Sequence, residues 1–428
     1  MDIKLTDYEK GMLGGREGKF KQKAMEVIVR YAQILGAQEL CEVTKAHIFC
    51  GAHNYLEVFK TKDIDLLLSE MWFCSSEKLT MDKMACFCQS CAGPLDPDNY
   101  EKCYATREEY EKNEEILKRC LAAGVNLIGT CAPYLIGFIP LMGEHYVTSE
   151  SSAVLMLNSL WGACGNADGI ETGFCSAACG RTPLWGNHIM SNRKGTHIFD
   201  IKCKTETVFD WNLLGYSIGR KLPTHSTPII TGNFTRPDMI KLKSSYATMA
   251  TSSGAEMCHI VGITPEAVTL EQALGGKNPQ DVITITDRDL EESLSIVSSS
   301  GRHSIEFISL GCPHYSIEEI RLVASYLDGK HVSSSVTLQI WTAYPIKAIA
   351  DKCGYTKKIE NAGGQLLTST CPAVHERIAP KLTAMAFDSA KQAHSLRNTL
   401  GSGTKIKIFV GSDIDCLKSA ISGMWEGR

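Results

Sequence analysis

From residue 282 onward, short apolar runs alternate with amphipathic ones, and this alternation constrains the fold more than any other feature. Residues 282–285, 305–310, 336–341, 364–369 and 406–410 read as buried strands. Residues 287–298, 345–352, 390–396 and 414–424 read as helices, and Ser316 opens another, with Glu319 completing a capping box. Such alternation yields a parallel, doubly wound α/β sheet. Functional residues in such sheets gather at the carboxyl ends of strands. Two of those ends share one grammar, Leu310-Gly311-Cys312-Pro313-His314 and Ser369-Thr370-Cys371-Pro372-Ala373. A third loop, Gly129-Thr130-Cys131-Ala132-Pro133-Tyr134, repeats it earlier in the chain.

A proline just after a cysteine holds the backbone extended and keeps it from curling over the sulfur. Three thiolates presented this way suit an iron–sulfur cluster, which normally has four protein ligands. Three cysteines leave one iron open, and an open metal position points to catalysis. The competing reading is three buried structural thiols. The chain has 18 cysteines and no apolar leader at its start, so reduced thiols or metal ligands are expected rather than disulfides. The stretch from Cys86 to Cys103 contains a Cys-x-x-Cys and resembles a metal knuckle, for zinc or a second cluster, but lacks the partner pair.

A chain of 428 residues is too long for one core. The expected division is 1–264 and 265–428, with the boundary near Thr264 to Gly276. At the N-terminus Thr6 and Glu9 form a second capping box, and 21–35 reads as a helix with Ala24, Ile28 and Ala32 on one face. Residues 107–123 and 151–161 read as further helices. The net charge is −4 and no basic block stands out, which argues against nucleic acid or an anionic membrane as partner. The uncharged stretch 125–143 carries Asn126, Pro133 and Pro140, so it reads as loop and strand rather than a membrane span. A cytoplasmic protein acting on a small molecule is expected.

Other residues have chemistry to offer. Arg181, in Gly180-Arg181-Thr182-Pro183, suits a carboxylate or phosphate, with His188 nearby. Ser151, Ser152 and Asn158 supply hydroxyls and an amide around a helix start. His47, His53 and His314 are candidate proton carriers, His314 foremost because it lies two residues from Cys312. No Gly-x-Gly-x-x-Gly follows a strand, and neither a Walker-type run nor a nucleophile elbow is present.

Several short runs occur in an order that resembles the large, catalytic subunit of the aconitase X family over essentially the whole chain. They include Ala46-His47-Ile48, Thr130-Cys131-Ala132-Pro133-Tyr134, Glu150-Ser151-Ser152-Ala153 and Asn158-Ser159. Gly180-Arg181-Thr182-Pro183, Gly311-Cys312-Pro313-His314, Thr370-Cys371-Pro372 and Asp388-Ser389-Ala390-Lys391 continue the series. The resemblance implies an aconitase-like multi-domain architecture and a hydro-lyase working on a [4Fe-4S] or [2Fe-2S] iron–sulfur cluster. It implies Cys131, Cys312 and Cys371 as ligands. The implied substrates are cis-3-hydroxy-L-proline or a related hydroxy acid, or mevalonate 5-phosphate. Arg181, Ser151, Ser152, Asn158 and His188 would hold the substrate, and His314 or His47 would protonate the leaving oxygen. The family's small swivel domain is not recognised in this sequence, so a separate small subunit, supplying a serine as base, is implied as partner. The match breaks at Gly162-Ala163-Cys164-Gly165, where the family carries an arginine. The reading from another class is a non-catalytic iron–sulfur protein that senses redox state.

Overall fold

The computed structural model describes residues 3–51, 61, 63–377, 379, 382–401 and 405–426. Three parallel sheets follow one another along the chain. The first has the order Val125–Asn126, Phe87–Ser90, Lys45–Ile48, Tyr146–Thr148. The second has the order Asp281–Ile285, His197–Ile201, Pro228–Gly232, His259–Ile260. The third has five strands, Gly364–Thr368, Thr337–Thr342, Phe307–Tyr315, Ala384–Phe387 and Lys407–Val410. Two short antiparallel pairs complete the sheet structure among the described residues, Leu40–Glu42 with Arg181–Pro183 and His303–Ser304 with Met424–Trp425.

The third sheet is the doubly wound C-terminal sheet expected from the alternation. Its chain starts at the central strand Phe307–Tyr315, steps outward to Gly364–Thr368, then returns to the other side through Ala384–Phe387. That reversal opens a crevice beyond the carboxyl ends of the two neighbouring strands. The first sheet reverses in the same way, from Lys45–Ile48 outward to Val125–Asn126 and back to Tyr146–Thr148.

Local sequence explains the helices. Thr6 and Glu9 close a capping box on Asp7–Leu13, and Ser316 and Glu319 close one on Ile317–Leu327. Helix Lys19–Leu35 buries Ala24, Ile28 and Ala32, a four-residue repeat on one face. The apolar helix Ser151–Trp161 is buried from Ser152 to Ser159.

Three features depart from expectation. Asp281–Ile285 pairs with His197–Ile201, so 264–276 falls inside the middle sheet and not between sheets. Strand Phe307–Tyr315 does not stop at Leu310 but runs on through Cys312, with a register shift against Thr337–Thr342 between Leu310 and Tyr315. Ala384–Phe387 is an additional strand, beside the central one. One apolar cluster joins all three sheets, with Val154 and Leu157, Phe199 and Trp211, and Met385 and Phe387 in its core. No helix among the described residues is long and apolar enough to cross a membrane.

Candidate active site

Cys131, Cys312 and Cys371 are all buried. Cys312 lies in the extension of the central strand, and its bond to Pro313 is cis. Gly311 before it has φ 99°, and a Cβ there would stand 2.4 Å from the Trp341 carbonyl, so only glycine lets the strand pass this close. Cys371 precedes the short helix Pro372–His375, with proline in its first turn. The Cys131 loop reaches the Cys371 loop through Gly129, where a Cβ would lie 2.6 Å from the Ser369 hydroxyl. Ser369 itself holds φ 67°, a left-handed conformation that costs a non-glycine residue about 1 kcal/mol or more.

Two histidines lock these loops. The backbone N–H of His314 donates to Cys131 Sγ at 3.3 Å. Its ring joins Thr130 Oγ1 at 3.0 Å to the Thr370 carbonyl at 2.8 Å, bridging the Cys131 and Cys371 loops. The His47 ring joins the Thr130 carbonyl at 2.8 Å to Thr148 Oγ1 at 2.9 Å. Burial pushes both imidazoles down to about 4, so they are neutral near pH 7. With both ring nitrogens engaged, His47 and His314 act here as clamps, and neither has a nitrogen left to face a substrate.

Burial and neighbouring charges set the state of the three thiols. Burial raises Cys131 to about 11 and Cys371 to about 12, and lifts Cys312 well above the ordinary thiol value. Cys312 also feels Cys371 and Cys131, and Cys371 feels Cys131, so the three sulfurs share one neighbourhood. A bound metal would ionise these thiols. Backbone amides of Ala373 and Val374 favour a thiolate at Cys371, as does that of His314 at Cys131. The Lys391 ammonium favours the thiolate at all three. Lys391 Nζ pairs with Glu150 Oε1 at 2.6 Å. Burial works against both charges, but each outweighs it for the other, raising Lys391 and lowering Glu150. Three convergent thiols, amide donors and one buried cation fit an anionic iron–sulfur cluster.

Beside Cys312 opens a cavity of about 410 Å³, lined in part by Lys243, Asp388, Tyr315 and Glu319. Lys243 is tied down, donating to Glu319 at 2.7 Å and to the Pro313 and His314 carbonyls. Asp388 Oδ2 accepts from the Tyr315 hydroxyl at 2.6 Å and from the Gly311 N–H at 3.2 Å. Its Oδ1 is buried without a partner. Burial pushes the Asp388 carboxyl up to about 7 against those two hydrogen bonds.

Ser152 joins this site, because it donates to Glu150 at 2.9 Å and Glu150 is among the charges that Cys131 feels; Ser151 precedes it in the first turn of the same helix. The other expected substrate residues sit elsewhere. Asn158 spends its amide on Gly165, the Glu256 carbonyl and the Tyr146 hydroxyl. Arg181 pairs with Glu9 at 3.0 Å and lies over the Tyr8 ring. His188 faces His145 at 3.1 Å between Nδ1 atoms. His53 lies outside the described residues. The cysteine-rich stretch does not fold as a knuckle, because Phe87–Ser90 is a strand within the first sheet. Cys103 instead accepts from the Asp96 N–H at 3.5 Å. Lys391, Asp388 and Lys243 had no role from sequence. The first two stand in the run Asp388-Ser389-Ala390-Lys391, which signalled kinship but not chemistry.

The chain matches the Aconitase X first domain over residues 2–191, the second domain over 195–295 and the third domain over 305–422. It is 30% identical to the phosphomevalonate dehydratase large subunit of Methanothermobacter thermautotrophicus, over 93% of this chain and 95% of that one. It is 28% identical to the cis-3-hydroxy-L-proline dehydratase of Hypocrea jecorina, over 100% of this chain and 70% of that one. The crystal structure of Thermococcus kodakaraensis aconitase X in its holo-form superposes with a TM-score of 0.81 at 27% identity, covering 98% of this chain and 100% of that one. Matched along nearly its whole length in sequence and in fold, the chain belongs to the aconitase X family and is, like the relatives it matches, a dehydratase-type lyase.

Proposed function

We propose that this chain is the large subunit of a cytoplasmic iron–sulfur hydro-lyase that removes water from cis-3-hydroxy-L-proline or a closely related hydroxy acid. The observation that carries this reading is the shared neighbourhood of Cys131, Cys312 and Cys371, with Cys312 on the wall of a cavity that also holds an unpartnered, protonatable Asp388 oxygen. A cluster held by the three cysteines would supply a Lewis acid for the hydroxyl that leaves. Asp388, protonated at Oδ1, donates a proton to the departing oxygen, while Tyr315 and Gly311 fix its Oδ2. The Ser151 hydroxyl, in the first turn of its helix, would hold the substrate carboxylate. Lys391 offsets the negative charge of three thiolates. The base that takes the carbon-bound proton comes from a separate small subunit, a partner supported by the name "large subunit" on the matched archaeal relatives.

The cavity is acidic, with Asp210, Glu319 and Asp413 on its walls, and its lysine, Lys243, is already bonded to Glu319. A secondary ammonium suits such walls and a phosphate is repelled by them. Mevalonate 5-phosphate is the second reading, favoured by the 30% identity to a phosphomevalonate dehydratase large subunit. Iron and acid-labile sulfide, measured after anaerobic purification, should be present in the wild type and drop in Cys131→Ser, Cys312→Ser and Cys371→Ser. Wild type that stays free of both after reconstitution overturns the cluster. With the small subunit added, faster turnover of mevalonate 5-phosphate than of cis-3-hydroxy-L-proline overturns the substrate.

A further inference from the structure

A second group of soft ligands lies in the first domain, and the reaction above makes no use of it. The ligand atoms of Cys41, His145 and His188 all lie within 4.8 Å of one another. Among the described residues this is the group drawn in to single-ion distances. Each arrives on a different segment. Cys41 is the middle residue of Leu40–Glu42, opposite Thr182. His145 bridges to Cys164 immediately before Tyr146–Thr148. His188 ends the turn Gly186–His188.

The surroundings look like an outer shell for a metal. His188 is 3% exposed, and its Nε2 has no hydrogen-bond partner. Both Asp168 carboxylate oxygens are likewise buried and unpartnered, and Asp168 is among the charges that Cys41 feels. Such orphaned groups are costly unless something completes them. The two imidazoles meet Nδ1 to Nδ1, a contact in which one nitrogen must carry the proton and the other accept it. A way in exists, because Cys41 and His145 are half-buried, and Met190, whose sulfur meets Cys164 at 3.6 Å, is 41% exposed.

We propose that Cys41, His145 and His188 bind one zinc ion, in a site separate from the three-cysteine pocket. One thiolate and two imidazoles are a tetrahedral zinc set with one position open, and Cys164 is the nearby thiol that Cys41 feels most. Binding transfers the Cys41 proton to solvent and leaves every oxidation state unchanged. The ion joins three separate segments of the first domain.

The test uses the full reduced chain, stripped of metal and titrated with cobalt as a spectroscopic stand-in and then with zinc. Cys312→Ser, whose cluster pocket is incomplete, should show a thiolate-to-cobalt charge-transfer band that one equivalent of zinc abolishes. In that background Cys41→Ser should lose the band and His145→Gln should weaken zinc binding by about 100-fold or more. A band that survives when Cys41→Ser is added to Cys312→Ser, or the absence of any band in Cys312→Ser, overturns the proposal. His145→Gln reads the same site through a second ligand, so misfolding of one variant does not blunt the test. Because Cys312→Ser disables the cluster pocket alone, failure of this site and failure of the cluster give different results.

Discussion

Lys391 and Glu150 are 241 positions apart in sequence and 2.6 Å apart in space. No local spacing reveals such a pair, and a buried lysine looks in sequence like any surface one. Its role follows from burial beside three sulfurs, where a full positive charge is worth far more than in water. Lys391→Met should therefore weaken cluster retention, with iron lost to a chelator about 10–100-fold faster than in wild type. Iron loss at the wild-type rate would remove Lys391 from the site. Asp388 was equally silent in sequence, since a carboxylate shows no sign of its pKa until its walls are known. Its value of about 7, against an ordinary 3.8, makes the folded state bind a proton that the unfolded chain has released. Stability from this group is thus fully present below about 4 and is lost as pH rises through 7. Activity that depends on the protonated form falls over the same alkaline limb. Asp388→Asn should lower kcat/KM by about 10²–10⁴-fold and flatten the limb near pH 7. A variant that keeps both the rate and the limb assigns the proton to another group.

At the scale of elements, the sequence announced the loops better than the strands that carry them. The three Cys/Pro runs were readable because proline and glycine constrain the backbone by themselves. Ala384–Phe387 was not, because Ala-Met-Ala-Phe has weak strand preference and no alternation, being buried on both faces. Nor does a strand's own pattern say which sheet it joins, so Asp281–Ile285 read as part of the following alternation although it pairs backward with His197–Ile201. The histidines mark the same boundary. Their presence near the cysteines was readable, whereas their use as clamps depends on carbonyls 83 and 56 positions away. Close approach of loops makes Gly129 a sensitive position. Gly129→Ala would add a Cβ at φ 53° and 2.8 Å from the Ser369 backbone. Strain and overpacking together should cost about 2–4 kcal/mol, and the Cys131 and Cys371 loops should part. The check is cluster content alongside the unfolding midpoint. A variant with full iron and unchanged midpoint would show that the loops have room to spare.

At the scale of the molecule, the site exists only while the domains hold their mutual positions, since Cys131 comes from the first domain and Cys312 and Cys371 from the third. The shared apolar cluster supplies cohesion without direction. Arg193 supplies direction. It is fully buried at the junction of the first and second domains. It donates to the Asn158 and Ala163 carbonyls on one side and to both Glu266 oxygens on the other, the shortest at 2.6 Å. Asn158, read from sequence as a substrate residue, thus belongs to this junction, and its burial is architectural. Glu266→Ala leaves the guanidinium charged, buried and without its counter-ion, which should cost about 3–5 kcal/mol. Adding Arg193→Met to that variant removes the stranded charge and should recover part of the loss, so the two changes are strongly non-additive in denaturant unfolding. The single variant should also lose iron, because a shift between the domains separates the ligands. A loss below about 1 kcal/mol, with additive effects in the pair, would show that the apolar cluster alone fixes the domains and that the ion pair merely fills space between them.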